Sequence, residues 1–199
     1  MALTFGAILL AAGRSTRMGT PKALLHAGGA SFFDEARLAI AASAPTRSVL
    51  VTNDDLHDQL APKWGGHAIV NAAPRSPQFD SLRLALQDLA KDPLDGAAVL
   101  LVDNPGRVTE RLRGLLVAAA RNPLEPLVVA FRGKPGHPLW LPARFWPSVL
   151  AWDGTEGLRG WFAHAAVAPR PVDLGIAEAL SDLDTPSDLA AYQQAMEQQ

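Results

Sequence analysis

The chain has no cysteine in its 199 residues, which excludes disulfides, thiolate metal ligands and cysteine nucleophiles. No apolar run approaches the roughly 18 residues that a membrane span needs. The opening MALTFGAILLAAGR has no basic stretch ahead of its apolar one, so no secretory signal is read and a cytoplasmic protein is expected. Charge of one sign is not in excess either. The 18 Lys+Arg stand against 20 Asp+Glu, a net charge of −2, which offers no general basic surface for nucleic acid or membrane. Repeats and low-complexity tracts are absent, and the 16 prolines and 16 glycines are scattered as turn punctuation. With 48% hydrophobic residues, one well-packed domain over residues 1–199 is expected, elaborated from about residue 135.

Against that balanced background one segment stands out. Leu10-Ala-Ala-Gly-Arg-Ser-Thr-Arg-Met-Gly-Thr-Pro-Lys22 places two glycines and three cations directly after the apolar run Phe5–Ala12. A short continuous apolar run suits a strand buried on both faces. Gly13 at its carboxyl end is expected to allow a tight turn and close approach of N–H groups to an anion. Arg14 and Arg17 can hold phosphate oxygens bidentately, and Lys22 adds a point charge. The cluster fits a triphosphate tail. Two familiar phosphate loops are excluded: five residues separate Gly13 from Gly19 and Lys22 follows three later, against the Walker spacing, and G-x-G-x-x-G is missing.

The remaining pattern alternates as a parallel sheet flanked by helices requires. Helices are expected over about 31–43, 54–61, 79–91 and 109–121, and strands over 47–52, 68–71, 97–102 and 127–131, with a last helix after Thr185-Pro186. The apolar strand at 97–102 ends in Asp103, which should face the same crevice as Gly13, because ligands of open α/β sheets collect beyond the strands' carboxyl ends. A hard oxygen ligand beside a triphosphate points to Mg²⁺, although a strand-end Asp can also cap the next turn. His137, between a glycine and a proline, cannot sit in a regular helix and is expected on a loop. Arg159 suits an acceptor phosphate or an ordinary surface ion pair, and Arg83 a ligand contact or a solvated helix face.

LAAGRSTRMGTPKALL resembles the signature L-A-[AG]-G-x-S-x-R-M-G-x-x-K-x-L-L of the molybdopterin nucleotidyltransferase-like family, within the wider glycosyltransferase-A-type nucleotidyltransferases. The resemblance implies a Rossmann-like three-layer α/β/α fold with a mostly parallel sheet, and Mg-dependent transfer of NMP from an NTP to a phosphorylated acceptor. It places Leu10, Ala11, Ala12, Gly13, Arg14, Lys22 and Ser81 on the nucleotide, with Arg17, Lys22 and Asp103 in catalysis. Asp103 matches the Asp of the family's L-x-D-x-P segment, and Asp184 the second metal ligand of its D-x-D-T-P-x-D-L motif. Gly136-His-Pro138 and Gly154-Thr-Glu-Gly-Leu-Arg159 resemble acceptor elements, which implies that His137 and Arg159 face the acceptor.

Ala12 before the glycine resembles the cytidylyl-transferring branch, so CTP and molybdopterin are favoured. The sequence departs from the pattern at three places: Thr155 stands where Asp is usual, Val102 stands where Gly often precedes the metal Asp, and the glycine ahead of Ser81 is absent. Sugar phosphates therefore remain open as acceptors, as does a non-catalytic role in which a nucleotide- or pterin-binding factor serves a molybdoenzyme.

Overall fold

Phe5–Ala11 forms strand β1, buried along its whole length. Its alternate side chains enter two different cores: Phe5, Ala7, Leu9 and Ala11 one, Ile8 and Leu10 the other. A strand apolar at every position is stable only with both faces covered, and this one has helices on each side. The computed structural model describes residues 2–13, 15, 18–26, 29–72, 78–181, 183 and 185–197.

The elements that follow are α1 (Phe32–Ala42), β2 (Arg47–Thr52), α2 (Asp54–Leu60), β3 (His67–Val70), α3 (Gln78–Leu89), β4 (Gly96–Leu101) and α4 (Val108–Arg121). Then come β5 (Leu127–Phe131), β6 (Lys134–Pro142), α5 (Trp146–Ala151), α6 (Gly157–His164), β7 (Arg170–Asp173) and α7 (Pro186–Glu197). They build one seven-stranded sheet of order β3-β2-β1-β4-β6-β5-β7, mostly parallel, as expected. Phe33 and Ile40 of α1, Leu56 of α2 and Leu112 of α4 cover the first face; Leu86 of α3, Val149 of α5 and Trp161 of α6 cover the other. Among the described residues no helix is long and apolar enough to cross a membrane.

Local chemistry sets the helix starts near the site. Ser31 caps α1 by accepting from the Asp34 amide at 3.1 Å, and Asn53 caps α2 by accepting from the Leu56 amide at 3.0 Å. Glu35 of α1 reaches across to accept from the Gly106 amide at 3.0 Å and the Val108 amide at 3.3 Å, fixing the entry to α4.

The region beyond residue 131 holds a strand that the alternation did not anticipate. Arg132 and Gly133 both have left-handed backbone, φ 50° and 76°, and form a two-residue hairpin turn. The chain doubles back as β6, which inserts antiparallel between β4 and β5. Between the pairs Val128↔Leu139 and Ala130↔Pro135, β6 carries two more residues than β5, a bulge that contains His137. His137 thus lies on a strand, not on the loop expected for it.

At the amino ends of the strands, away from Gly13 and Asp103, buried Asp88 of α3 accepts hydrogen bonds from Arg47 Nε at 3.1 Å, His67 Nδ1 at 2.9 Å and Lys91 Nζ at 2.8 Å. Burial opposes its ionisation, but the bonds from Lys91, His67 and Arg47 prevail and hold the carboxyl at about 2, below its ordinary 3.8. A depressed carboxyl stabilises the fold above its unfolded value and ceases to do so as pH falls through its folded value. Urea unfolding of Asp88→Asn is therefore expected to show a loss of about 1–3 kcal/mol at pH 7, shrinking as pH drops from about 4 toward 2. Parallel pH curves for the two proteins would contradict this assignment.

Candidate active site

The sheet reverses its order of growth at β1: β2 and β3 lie to one side and β4 to the other. Such a switch point leaves a crevice beyond the strands' carboxyl ends. Leu10 pairs with Leu101, and the Val102 amide donates to the Leu10 carbonyl at 3.1 Å, so the two chains leave the sheet together. A cavity of about 290 Å³ opens there. Leu10, Ala11, Ala12, Gly13, Lys22, Ser81 and Asp103 all line it, so the structure brings together the expected residues that it describes at this end. Arg14, Arg17 and Asp184 lie outside the described residues.

Lys22 begins a short 3-10 turn, and its Nζ lies 2.9 Å from Asp103 Oδ2. Both groups are largely withdrawn from water, with 11% and 27% of the side chains exposed. An ammonium and a carboxylate in that setting attract more strongly than at a free surface. The loop that delivers Lys22 is tied down locally. Its amide donates to Ser15 Oγ at 3.0 Å, and the Met18 amide donates to the Ser15 carbonyl at 2.9 Å. Asn53 Nδ2 donates to the carbonyls of Ala12 at 3.4 Å and Gly13 at 3.5 Å.

The tight turn expected at Gly13 is made further along the loop. Left-handed backbone falls at Ser15, φ 50°, and Gly19, φ 67°, while Gly13 is not left-handed. A Cβ at Gly13 would point into open space, which keeps its backbone approachable. Ser81, buried at the start of α3, accepts from Asn71 Nδ2 at 2.8 Å. Arg83 faces Asp80 on its own helix at 4.0 Å and lines none of the cavities at this end of the sheet.

Leu10, Gln78 and Leu101 also wall a second cavity of about 840 Å³, bounded by apolar side chains such as Phe79, Leu82, Leu139 and Phe162. His137 and Arg159 both line it. A third cavity, of about 430 Å³, lies between Asp103, His137 and the turn Ala179–Ser181. The three make one cleft with shared walls. Among the described residues no three His, Asp or Glu side chains form a ready-made metal cluster. A cation here would take Asp103 and, for the rest, ligands supplied by a substrate, which is how Mg²⁺ is commonly held.

Four polar residues in or behind this cleft escaped the sequence reading: Gln78 and Asn104, which line it, and Asn53 and Arg111, which hold its loops. Arg111 carried a detectable signal, since it interrupts the apolar face of α4 formed by Val108, Leu112, Leu115 and Ala119. Asn53 could have been read as a cap before Asp54. Gln78 and Asn104 had only their places as a signal, three residues before Ser81 and directly after Asp103.

A sheet of this order, with a cation, a carboxylate and open backbone at its switch point, suits a ligand that carries phosphates. Over residues 7–169 the chain matches the MobA-like NTP transferase domain, and it belongs to that family. Molybdenum cofactor guanylyltransferase of Sinorhizobium fredii (strain NBRC 101917 / NGR234) is 31% identical over 177 residues, 81% of this chain and 76% of that protein. Rv0371c of Mycobacterium tuberculosis H37Rv shares the fold, with a TM-score of 0.81 at 22% identity over 98% of this chain and 99% of that one. Its manganese complex superposes with a TM-score of 0.76 at 19% identity, covering 98% and 100% of the two chains.

His137 is a strongly perturbed titrating group of the site. Desolvation outweighs the attraction of Asp103 and lowers the imidazole to about 4 from 6.5, and Nδ1 is sealed from solvent without a partner among the described residues. The ring is neutral at physiological pH. Because the unfolded chain takes up a proton near 6.5 and the folded one does not, stability should fall as pH drops from about 6.5 to 4. An NMR titration of the His137 ring is expected to give a midpoint near 4. A midpoint near 6.5 would show the ring to be solvated.

Proposed function

We propose that the chain transfers a nucleoside monophosphate, with cytidylate favoured, from an NTP to a phosphorylated acceptor, with molybdopterin the acceptor that suits the cleft best. The observation that carries this reading is the Lys22–Asp103 contact at a cavity that shares Leu10, Gln78 and Leu101 with a larger apolar one. The first compartment suits a polyphosphate and its cation, the second the body of an acceptor.

An oxygen of the acceptor phosphate attacks the α-phosphorus, a new P–O bond forms, and the bond to the bridging oxygen breaks as pyrophosphate leaves with the electron pair. No side-chain nucleophile is required. Backbone amides around Gly13 orient the phosphates, and the Lys22 ammonium offsets charge gathering on the leaving group. Asp103, with Asp184 by its match to the family motif, would hold Mg²⁺, which when bound neutralises phosphate charge and polarises the reacting phosphorus. The donor set fits such an ion: a hard carboxylate oxygen, partly exposed and facing the phosphate-sized cavity.

For the acceptor, the apolar walls favour a flat heterocycle over a polyol, whose hydroxyl groups would lose water without gaining partners. Arg159 is exposed at this cavity, and no ion pair involving it is found among the described residues, so it is available to an acceptor phosphate. Cytidylate is favoured because Ala12 puts a methyl at the cavity where guanylyl-transferring members carry glycine. The Sinorhizobium relative, named a guanylyltransferase, supports guanylate as the second reading.

Pyrophosphate release measured with each of the four NTPs, Mg²⁺, and molybdopterin or a sugar 1-phosphate tests the proposal. Turnover is expected to be fastest with CTP and molybdopterin, and to fall by roughly 10²-fold or more in Asp103→Ala. GTP as the best donor would replace the cytidylate assignment. Nucleotide binding without turnover in any combination would leave a binding factor in place of an enzyme.

A further inference from the structure

Arg111 is the least expected side chain in the molecule, a guanidinium 1% exposed on the apolar face of α4. All five of its N–H groups are used. Nε donates to the Gly106 carbonyl at 2.9 Å. One terminal nitrogen donates to Asn104 Oδ1 and to the His137 carbonyl at 3.0 Å. The other donates to the carbonyls of Asn104 at 2.7 Å and Pro105 at 3.1 Å. No carboxylate pairs with it among the described residues. Glu35 and Glu178 act on it only through space, and burial lowers it to about 10, so it stays charged at neutral pH.

A buried charge facing only carbonyl dipoles is a costly way to fill a core position that leucine or methionine could occupy. What it provides is direction. The three carbonyls immediately after Asp103 are turned toward one point, and the backbone of His137 is drawn to the same point. Asn104 extends the unit. Its Nδ2 donates to the carbonyls of Glu178 and Ala179, each at 3.4 Å, and to that of Ser181. The Leu183 amide donates to the Asp103 carbonyl at 3.4 Å. At the seam there is no slack, because a Cβ at Gly136 would land on the Ala179 carbonyl.

We propose that Arg111 is a positioning residue: with Asn104 it locks the Asp103 loop, the His137 bulge, the turn Glu178–Ser181 and Leu183 into one rigid unit, so that the metal-side carboxylate and the acceptor wall keep a fixed spacing. The proposal rests on reading the cleft as a nucleotidyl-transfer site. Its chemistry lies one layer behind the reacting groups, where losing an orienting partner typically lowers metal affinity by about 10–100-fold.

The test compares Arg111→Met, Arg111→Lys and Asn104→Ala in the full chain. Mn²⁺ binding is followed by EPR, alone and with each of the four NTPs; thermal unfolding reports the folded fraction, and KM for NTP and acceptor are measured separately. Arg111→Met is expected to weaken Mn²⁺ binding and raise the acceptor KM by about tenfold or more each, with the NTP KM within a few-fold of wild type. Arg111→Lys should recover part of both losses. Asn104→Ala should give the same signature while leaving Arg111 its four backbone acceptors, and decides the matter if Arg111→Met does not fold. Activity lost only in proportion to the folded fraction, with Mn²⁺ binding and acceptor KM unchanged, would overturn the proposal. The EPR arm remains decisive if the wild type fails to turn over, which separates failure of this proposal from failure of the transfer reading.

Discussion

The parallel pairing of β1 with β4 is the constraint on which the site depends. Both strands are apolar and buried, so their backbone groups are satisfied only by lying in one ladder, and their register fixes where each chain leaves the sheet. Leu10 and Leu101 end the pairing side by side, and polar chemistry starts within a few residues on both chains. One chain continues into the loop that returns Lys22, the other into Asp103. The 2.9 Å contact between those two side chains closes the gap over the switch point. A slip of this pairing would move the ammonium and the carboxylate apart and would also turn apolar side chains onto the wrong face.

Around that seam the molecule uses polar side chains from several elements to hold loops in place. Asn53 from the start of α2 holds the carbonyls of Ala12 and Gly13, Glu35 from α1 holds the amides of Gly106 and Val108, and Arg111 from α4 gathers the carbonyls after Asp103. Each bond is individually modest, about 0.5–1.5 kcal/mol net, and more where one partner is charged. Their common effect is to limit the backbone freedom of loops that carry charge into a partly dehydrated cleft. Rigid, oriented groups stabilise developing charge without reorganising during the reaction.

Much of this was legible in the sequence because local and long-range signals agree there. The run Phe5–Ala11, the cap at Ser31, the periodicity of α3 and α4 and the acid after Leu101 each point to one structure. The strand β6 was not legible, since Pro135 and Pro138 lack the N–H that an interior strand uses and argue against one. The bulge opposite β5 takes in Pro138, with Pro135 paired to Ala130 at its edge, and at the same time places His137 beside the cleft. Arg111 was missed for a related reason: arginine is rarely fully buried, so one arginine among the leucines of an amphipathic helix reads as its wet edge. Base preference was less legible than the phosphate loop, because it rests on single side chains such as Ala12 and has no spacing pattern behind it.

The most direct measurement is a single-turnover reaction with the preferred NTP labelled at the α-phosphorus, wild type against Lys22→Ala, under conditions that saturate both with nucleotide. Transfer of the label to the acceptor, slowed by roughly 10²-fold or more in the variant, is expected if the Lys22–Asp103 seam is where phosphoryl charge is stabilised. Equal rates in the two proteins, or label that never reaches the acceptor, would contradict it.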